Sequence, residues 1–350
     1  MIVNNYYQIV KIETFIKNNR LNNVLVQKME SEITLSHKYQ GMIVGAAIGD
    51  ALGMPVENLS HQEIKERYGF IQYYLKPDRR SKLSFLKPGQ YTDDTQLMIA
   101  TIRGLTKYQH HGLDSLVTEL LSSKPSLRGA GQATWTALNR LQEVGPKESG
   151  VEKAEGAGAM TRVAPLAVLA YKKSDLGYEL LVEDATSITH KSDIAKASVF
   201  LYGRILTNLL NSFIDLKSEN SLKNFADAYS KESTKDSSSV VLLKQKIRNL
   251  PSALTMTDEN FVEKFGTSGS VSDVLPAALY CFLKSPLNFE ESIFRSVNLG
   301  GDADTIAFVT GQLSGTYNGI ENIPHYLINK LENNQQLKQY SLDLYREVHS

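Results

Sequence analysis

Apolar residues recur at helical spacing along most of the chain, and period-two alternation is nearly absent. Runs over residues 41–52, 113–121, 163–171, 194–210, 274–283 and 289–297 each predict a helix, and one short strand is expected around residues 70–75. In the first run Gly41, Gly45 and Gly49 fall four apart on one face. Glycine inside a helix costs stability, so that face predicts close approach by a neighbouring backbone. The polar, Ser-rich stretch 231–239 predicts a surface loop. Related acidic clusters lie on either side of it, and no solenoid repeat is present. The pattern therefore predicts one all-α domain over residues 39–350, preceded by an extension over residues 1–38. The extension is amphipathic, with Tyr6, Tyr7, Ile9, Val10, Ile12, Phe15 and Ile16. It either packs on the domain as an extra helix or serves as a partner-binding arm.

Composition removes several function classes. Hydrophobic residues at 42% of 350 positions are enough for a substantial core. Basic and acidic residues balance at 38 each, so no global field draws the protein to nucleic acid or membrane. The basic residues are scattered, without a basic stripe interleaved with aromatics. The single Cys281 sits in an apolar run and reads as a core thiol in a reducing compartment. Residues 1–38 lack the uninterrupted apolar region of a signal peptide, and no later segment reaches a membrane span. A cytoplasmic location is expected.

Candidate chemistry concentrates in two clusters roughly 200 residues apart, Thr92-Asp93-Asp94-Thr95 and Asp302-Ala303-Asp304-Thr305. Each opens an apolar helical run, where one or two acids would be ordinary caps. Four carboxylates and three hydroxyls exceed that need. Brought together they form an all-oxygen cage for hard divalent cations, best suited to a pair, and so predict a metal-dependent hydrolase. Glu57 follows Pro55 in a loop from which it can reach a cleft as a general base, and Asp50 can support it from behind. Gly156-Ala157-Gly158-Ala159 and Gly266-Thr267-Ser268-Gly269 precede helices and let backbone N–H groups approach a phosphate, although neither is a Walker A loop. His190 stands at another helix entry, within reach of a phosphate or ribose.

Taken in order, Gly45-x3-Gly49-Asp50-Ala51-Leu52-Gly53, Thr92-Asp93-Asp94-Thr95, Gly156-x-Gly158, Thr189-His190 and Asn298-Leu299-Gly300-Gly301-Asp302-x-Asp304-Thr305 resemble the ADP-ribosylglycohydrolase family over roughly residues 39–331. The resemblance implies a compact orthogonal all-α domain with a cleft holding two Mg²⁺ or Mn²⁺ ions. It implies metal ligation by Thr92, Asp93, Asp94, Asp302, Asp304 and Thr305, with Glu57 near the scissile bond. It also implies that Gly156, Gly158, Ala159, His190, Gly266, Ser268 and Gly269 hold the phosphates, riboses and adenine of ADP-ribose. The chain departs from the pattern twice: Ala157 stands where the family often has Asn, and residues 127–132 lack the carboxylate that some branches use in catalysis. The first removes one side-chain partner for the ligand, and the second shifts weight to Glu57 or a metal-bound hydroxide.

The expected activity is removal of ADP-ribose from a protein side chain, arginine first, with serine and O-acetyl-ADP-ribose as alternatives. A second class is an immunity protein that neutralises an ADP-ribosyltransferase toxin through residues 1–38. An inactive relative like the lens crystallins of this fold has no reason to keep four buried carboxylates, and a phosphohydrolase would not need the ribose- and adenine-holding loops.

Overall fold

The computed structural model describes residues 35–107, 112–174, 176–212 and 237–350, with isolated positions between 213 and 236. The extension through residue 34, and residues 231–236 of the Ser-rich stretch, lie outside the described residues. Helix α1 spans residues 35–53 and so runs through the expected boundary at Lys38. It is followed by α2 (His61–Tyr68), α3 (Asp93–Thr106), α4 (Leu113–Ser123), α5 (Gln132–Val144), α6 (Gly158–Lys173) and α7 (Leu176–Ser187). Then come α8 (Asp193–Leu210), α9 (Ser238–Arg248), α10 (Asp258–Phe265), α11 (Val271–Lys284), α12 (Phe289–Leu299), α13 (Ala303–Asn318) and α14 (Asn334–His349). Every predicted helix is present, and most extend a few residues beyond their predicted ends. Ser238 and Ser239, expected in a loop, instead open α9.

Helix α13 forms the axis of the fold. Every residue from Ala303 to Thr316 is buried, so the helix has no solvent face. Its polar side chains are satisfied internally: Thr310 Oγ1 donates to the Ile306 carbonyl (2.8 Å), and Gln312 accepts from the Tyr202 hydroxyl (2.8 Å). Helices α11 and α12 pack beside it, and α1 lies antiparallel against it at backbone contact. An added Cβ at Gly41, Gly45, Gly49 or Gly53 would sit 1.9–2.3 Å from the carbonyl oxygens of Gly315, Gly311, Ala307 and Ala303 respectively. Four-residue steps on both helices thus mesh, and the glycine face has the close neighbour its sequence predicted. Gly53 lies next to Ala303, so the zipper brings the end of α1 to the start of α13.

The expected strand at residues 70–75 is not formed, and among the described residues only isolated bridges occur. The alternating residues have no partner strand. Instead the Asn298 side chain takes that place, accepting from Ile71 N (2.9 Å) and donating to Ile71 O (3.0 Å). Cys281 is fully buried among core residues. No helix among the described residues is long and apolar enough to cross a membrane.

Candidate active site

Both acidic clusters meet at one end of the zipper. Asp94 and Asp93 begin α3, Asp302 precedes α13, and Asp304 and Thr305 lie in its first turn. Neither Thr92 nor Asp302 caps its own helix through its side chain. The N-terminus of α3 is satisfied instead from α1: the Asp50 carboxylate accepts from Thr92 N (2.9 and 3.0 Å), Thr95 N (3.1 Å) and Thr95 Oγ1 (2.6 Å). Asp50 is therefore fully buried and committed to positioning α3, and it does not line the cavity described below. Of the cluster acids, Asp304 accepts from Thr305 N (2.9 Å) in the first turn of α13.

Glu57 arrives by backbone pairing. Asn58 N donates to Gly301 O (2.8 Å) and Gly301 N to Leu59 O (2.7 Å), which fixes the loop after α1 against the loop before α13. Carboxylate oxygens of Glu57, Asp302 and Asp304 consequently lie within 4.8 Å of one another. Thr305 Oγ1 donates to Asp302 (3.0 Å), and Thr161 Oγ1 donates to Asp94 (2.9 Å). Asp93 N is held by the Arg128 carbonyl (2.9 Å), and the Arg128 guanidinium forks onto Glu332 (2.6 and 3.1 Å). Residues 127–132, which carry no carboxylate, thus act as a brace for Asp93.

Burial and mutual repulsion raise the carboxyls. Asp302 is pushed up to about 7 by burial and by Asp94, and Asp93 and Asp304 are raised well above the carboxylate range for the same kinds of reason. Asp50 rises to about 7, its hydrogen bonds only partly offsetting burial and the Asp94 charge. Glu57 is raised mainly by burial. Among the described residues no basic side chain forms an ion pair with this cluster, so the arrangement calls for a cation. The donors fit one: all are oxygens, and the buried Thr92 Oγ1 makes no well-formed hydrogen bond although Asp50 lies beside it. Glu57, Asp302 and Asp304 bring carboxylate oxygens close enough together to hold a metal ion, and Asp93, Asp94 and Thr305 line the same cavity.

The carboxylates form one wall of a cavity of about 250 Å³. Glu57, Asp93, Asp94, Asp302, Asp304 and Thr305 line it together with Gly156, Ala157, Gly158, His190 and Gly269. The glycine loops are stitched together, with Ala157 N donating to Gly269 O (3.1 Å), Val271 N to Glu155 O (2.9 Å) and Asp302 N to Thr267 O (2.8 Å). A Cβ at Gly269 would come within 3.0 Å of an Asp302 carboxylate oxygen. Not every expected contact reaches the cavity. Ser268 spends its hydroxyl (2.6 Å) and its N–H (3.2 Å) on Asp273, and Gly266 turns at φ +79° against the same carboxylate. Ala159 is buried in the first turn of α6, behind the Gly158 position. Gln132 and Thr134, at the start of α5, line the cavity without having been singled out in the sequence. Their position just after Gly131 at a helix start was the available signal.

The described residues thus form an all-α domain in which two helix starts pool buried carboxylates, a cluster able to hold metal, beside paired glycine loops. The ADP-ribosylglycohydrolase family model matches residues 31–350, and the chain belongs to that family. It is an ADP-ribosyl hydrolase, from a metal-dependent family whose members act on ADP-ribose linkages. An uncharacterized protein of Archaeoglobus fulgidus is 30% identical over 319 residues, covering 90% of this chain and 98% of its own. ADP-ribosylarginine hydrolase Tri1 of Serratia proteamaculans is 25% identical over 328 residues, covering 88% and 79%. A solved ADP-ribosylglycohydrolase-related protein complex superposes with a TM-score of 0.70 at 26% identity, covering 90% of this chain and 99% of that one.

Proposed function

We propose that the protein removes ADP-ribose from modified arginine side chains of proteins, with a pair of Mg²⁺ or Mn²⁺ ions held by Thr92, Asp93, Asp94, Asp302, Asp304 and Thr305. The observation that carries this reading is the joining of Glu57, Asp302 and Asp304 in one oxygen cluster at the wall of a glycine-lined cavity. Arginine is favoured over serine because a relative covering most of the chain bears the name ADP-ribosylarginine hydrolase.

Cleavage of the bond at ribose C1″ develops positive charge on the sugar, and the leaving nitrogen needs a proton. When bound, the cations supply charge stabilisation and fix the ribose hydroxyls. Glu57 has the position and the raised proton affinity of a group that takes a proton from attacking water and returns it to the leaving guanidine. Asp50 keeps Thr92 and Thr95 in place so that Asp93 and Asp94 stay aimed at the ribose. The glycine loops accept the pyrophosphate, and holding the reactants in register supplies several kcal/mol of the barrier reduction, roughly as such effects do elsewhere.

The test is release of free ADP-ribose from arginine- and serine-modified proteins in Mg²⁺, Mn²⁺ or chelator. Cation-dependent release from the arginine substrate is expected, and Glu57→Gln should lower it about 10²- to 10⁴-fold while ADP-ribose still binds. Release from the serine substrate alone would overturn the arginine assignment, and full activity in Glu57→Gln would remove that residue from the mechanism.

A further inference from the structure

Beside the acidic cluster runs a buried polar chain of Arg162, Thr189 and His190. Arg162, in α6, is 1% exposed. Its Nη2 donates to the Ala185 carbonyl (2.8 Å) and to Thr189 Oγ1 (2.9 Å). A guanidinium cannot accept a hydrogen bond, so the threonine oxygen is the acceptor in that pair. The hydroxyl proton must then go elsewhere, and His190 Nδ1, at 2.9 Å, is the acceptor the structure offers it. A neutral imidazole that accepts at Nδ1 carries its proton on Nε2. Neutrality follows from burial, reinforced by the Arg162 charge, which together hold the imidazole down at about 3.

The protonated nitrogen faces the glycine loop. A Cβ at Gly156 would lie 3.6 Å from His190 Nε2, and one at Gly158 would lie 3.7 Å from Cε1. Gly158 also opens α6, whose first N–H groups have no partner within the helix. We infer that Arg162 and Thr189 are positioning residues that lock His190 as a neutral Nε2–H donor aimed at a phosphate oxygen of the nucleotide in this cavity. The identity of that ligand rests on the proposed function, whereas the tautomer lock does not. A neutral donor suits the place, because it adds a directed hydrogen bond without a second buried charge beside Arg162.

Long-range ¹H–¹⁵N spectra of histidine-labelled protein read the tautomer directly, with His190→Gln marking its resonances. The wild type and Thr189→Ser should show only the Nε2–H form. Thr189→Val should show the Nδ1–H form or a mixture, with ADP-ribose binding weakened about tenfold in calorimetry and Mg²⁺ affinity unchanged. An Nδ1–H form in the wild type, or a single unchanged tautomer in Thr189→Val, overturns the lock. The wild-type spectrum decides this even if the valine variant does not fold. A changed tautomer with equal ADP-ribose affinity in both variants overturns the phosphate role. If the wild type binds no ADP-ribose while its tautomer behaves as stated, the lock stands and the proposed function falls.

Discussion

The contact between α1 and α13 changes character along its length. Over Gly41 to Gly53 it is a zipper of small residues at backbone distance, with no room for a single Cβ and no polar side chain needed. Just beyond Gly53 and Ala303 it opens into a set of crowded acids whose burial raises their proton affinity. Close packing makes the first region stable and intolerant of change. The second stores unfavourable charge that only a proton or a cation relieves. The rigid part fixes the geometry of the strained part, so substitutions in the two should have opposite signatures.

The largest effect is expected from Asp302→Asn, which should drop ADP-ribose release to background and remove most divalent-cation binding. Its effect on the cation-free fold should have the opposite sign. Asp302 is pushed up to about 7 by burial and Asp94, so at pH 8 a neutral amide relieves repulsion and the melting temperature without cations should rise. A fall in that melting temperature would break the contrast. Gly49→Ala comes next. A Cβ there would sit 1.9 Å from the Ala307 oxygen and 2.3 Å from its carbon, so the helices must separate, at a cost of about 3 kcal/mol in denaturant unfolding. Unchanged stability would mean that the helices are not in backbone contact.

These two regions were not equally legible in the sequence. The glycine repeat announced a close neighbour because glycine has little other use inside a helix. Its partner face, Ala303-Ala307-Gly311-Gly315, was invisible because it lies in an ordinary small-residue helix. Clustered acids at two helix starts stood out because capping explains so few of them. The use of Asp50 to cap α3, by contrast, depends on a contact across 42 positions that no local pattern encodes. Composition misled at residues 70–75, where strand-like residues pair with one asparagine rather than a strand. It also could not separate Gly269, which lines the cavity, from Gly266 and Ser268, which serve a turn at Asp273. Arg162 escaped notice because arginine is so seldom buried.

A gentler probe of the acid end is cation stabilisation as a function of pH. Folding raises the proton affinity of Asp93, Asp94, Asp302 and Asp304 above the unfolded carboxylate value. For a raised carboxyl the folded state holds the proton more tightly. Its contribution is therefore full below the unfolded pKa of about 3.9 and is lost as pH rises through the folded value, about 7 for Asp302. Cations bind the deprotonated set, so the stabilisation by a fixed Mg²⁺ concentration, read from the melting temperature, should grow from about pH 5 to about pH 8, reaching about 2.7 kcal/mol where Mg²⁺ is in hundredfold excess over its Kd at pH 8. A shift that shrinks with rising pH would show that the cation does not compete with these protons.

The smallest effect should come from Asp50, the residue that joins the two regions. It follows Gly49 on the zipper and ends among the N–H groups of α3, so the position of Asp93 and Asp94 passes through it. Asp50→Asn keeps one oxygen able to accept from these donors and removes a carboxyl itself raised to about 7 by burial and Asp94. Lost capping costs about 1 kcal/mol, and relief of repulsion offsets part of it, so stability should scarcely move. Cation affinity should weaken about tenfold, as when a group that orients metal ligands is altered. Turnover at saturating cation should then return close to the wild-type value, because Asp50 touches neither cavity nor substrate. A loss of turnover that added cation does not restore would place Asp50 in the chemistry itself, and the division between a framework region and a reacting region would no longer hold at this residue.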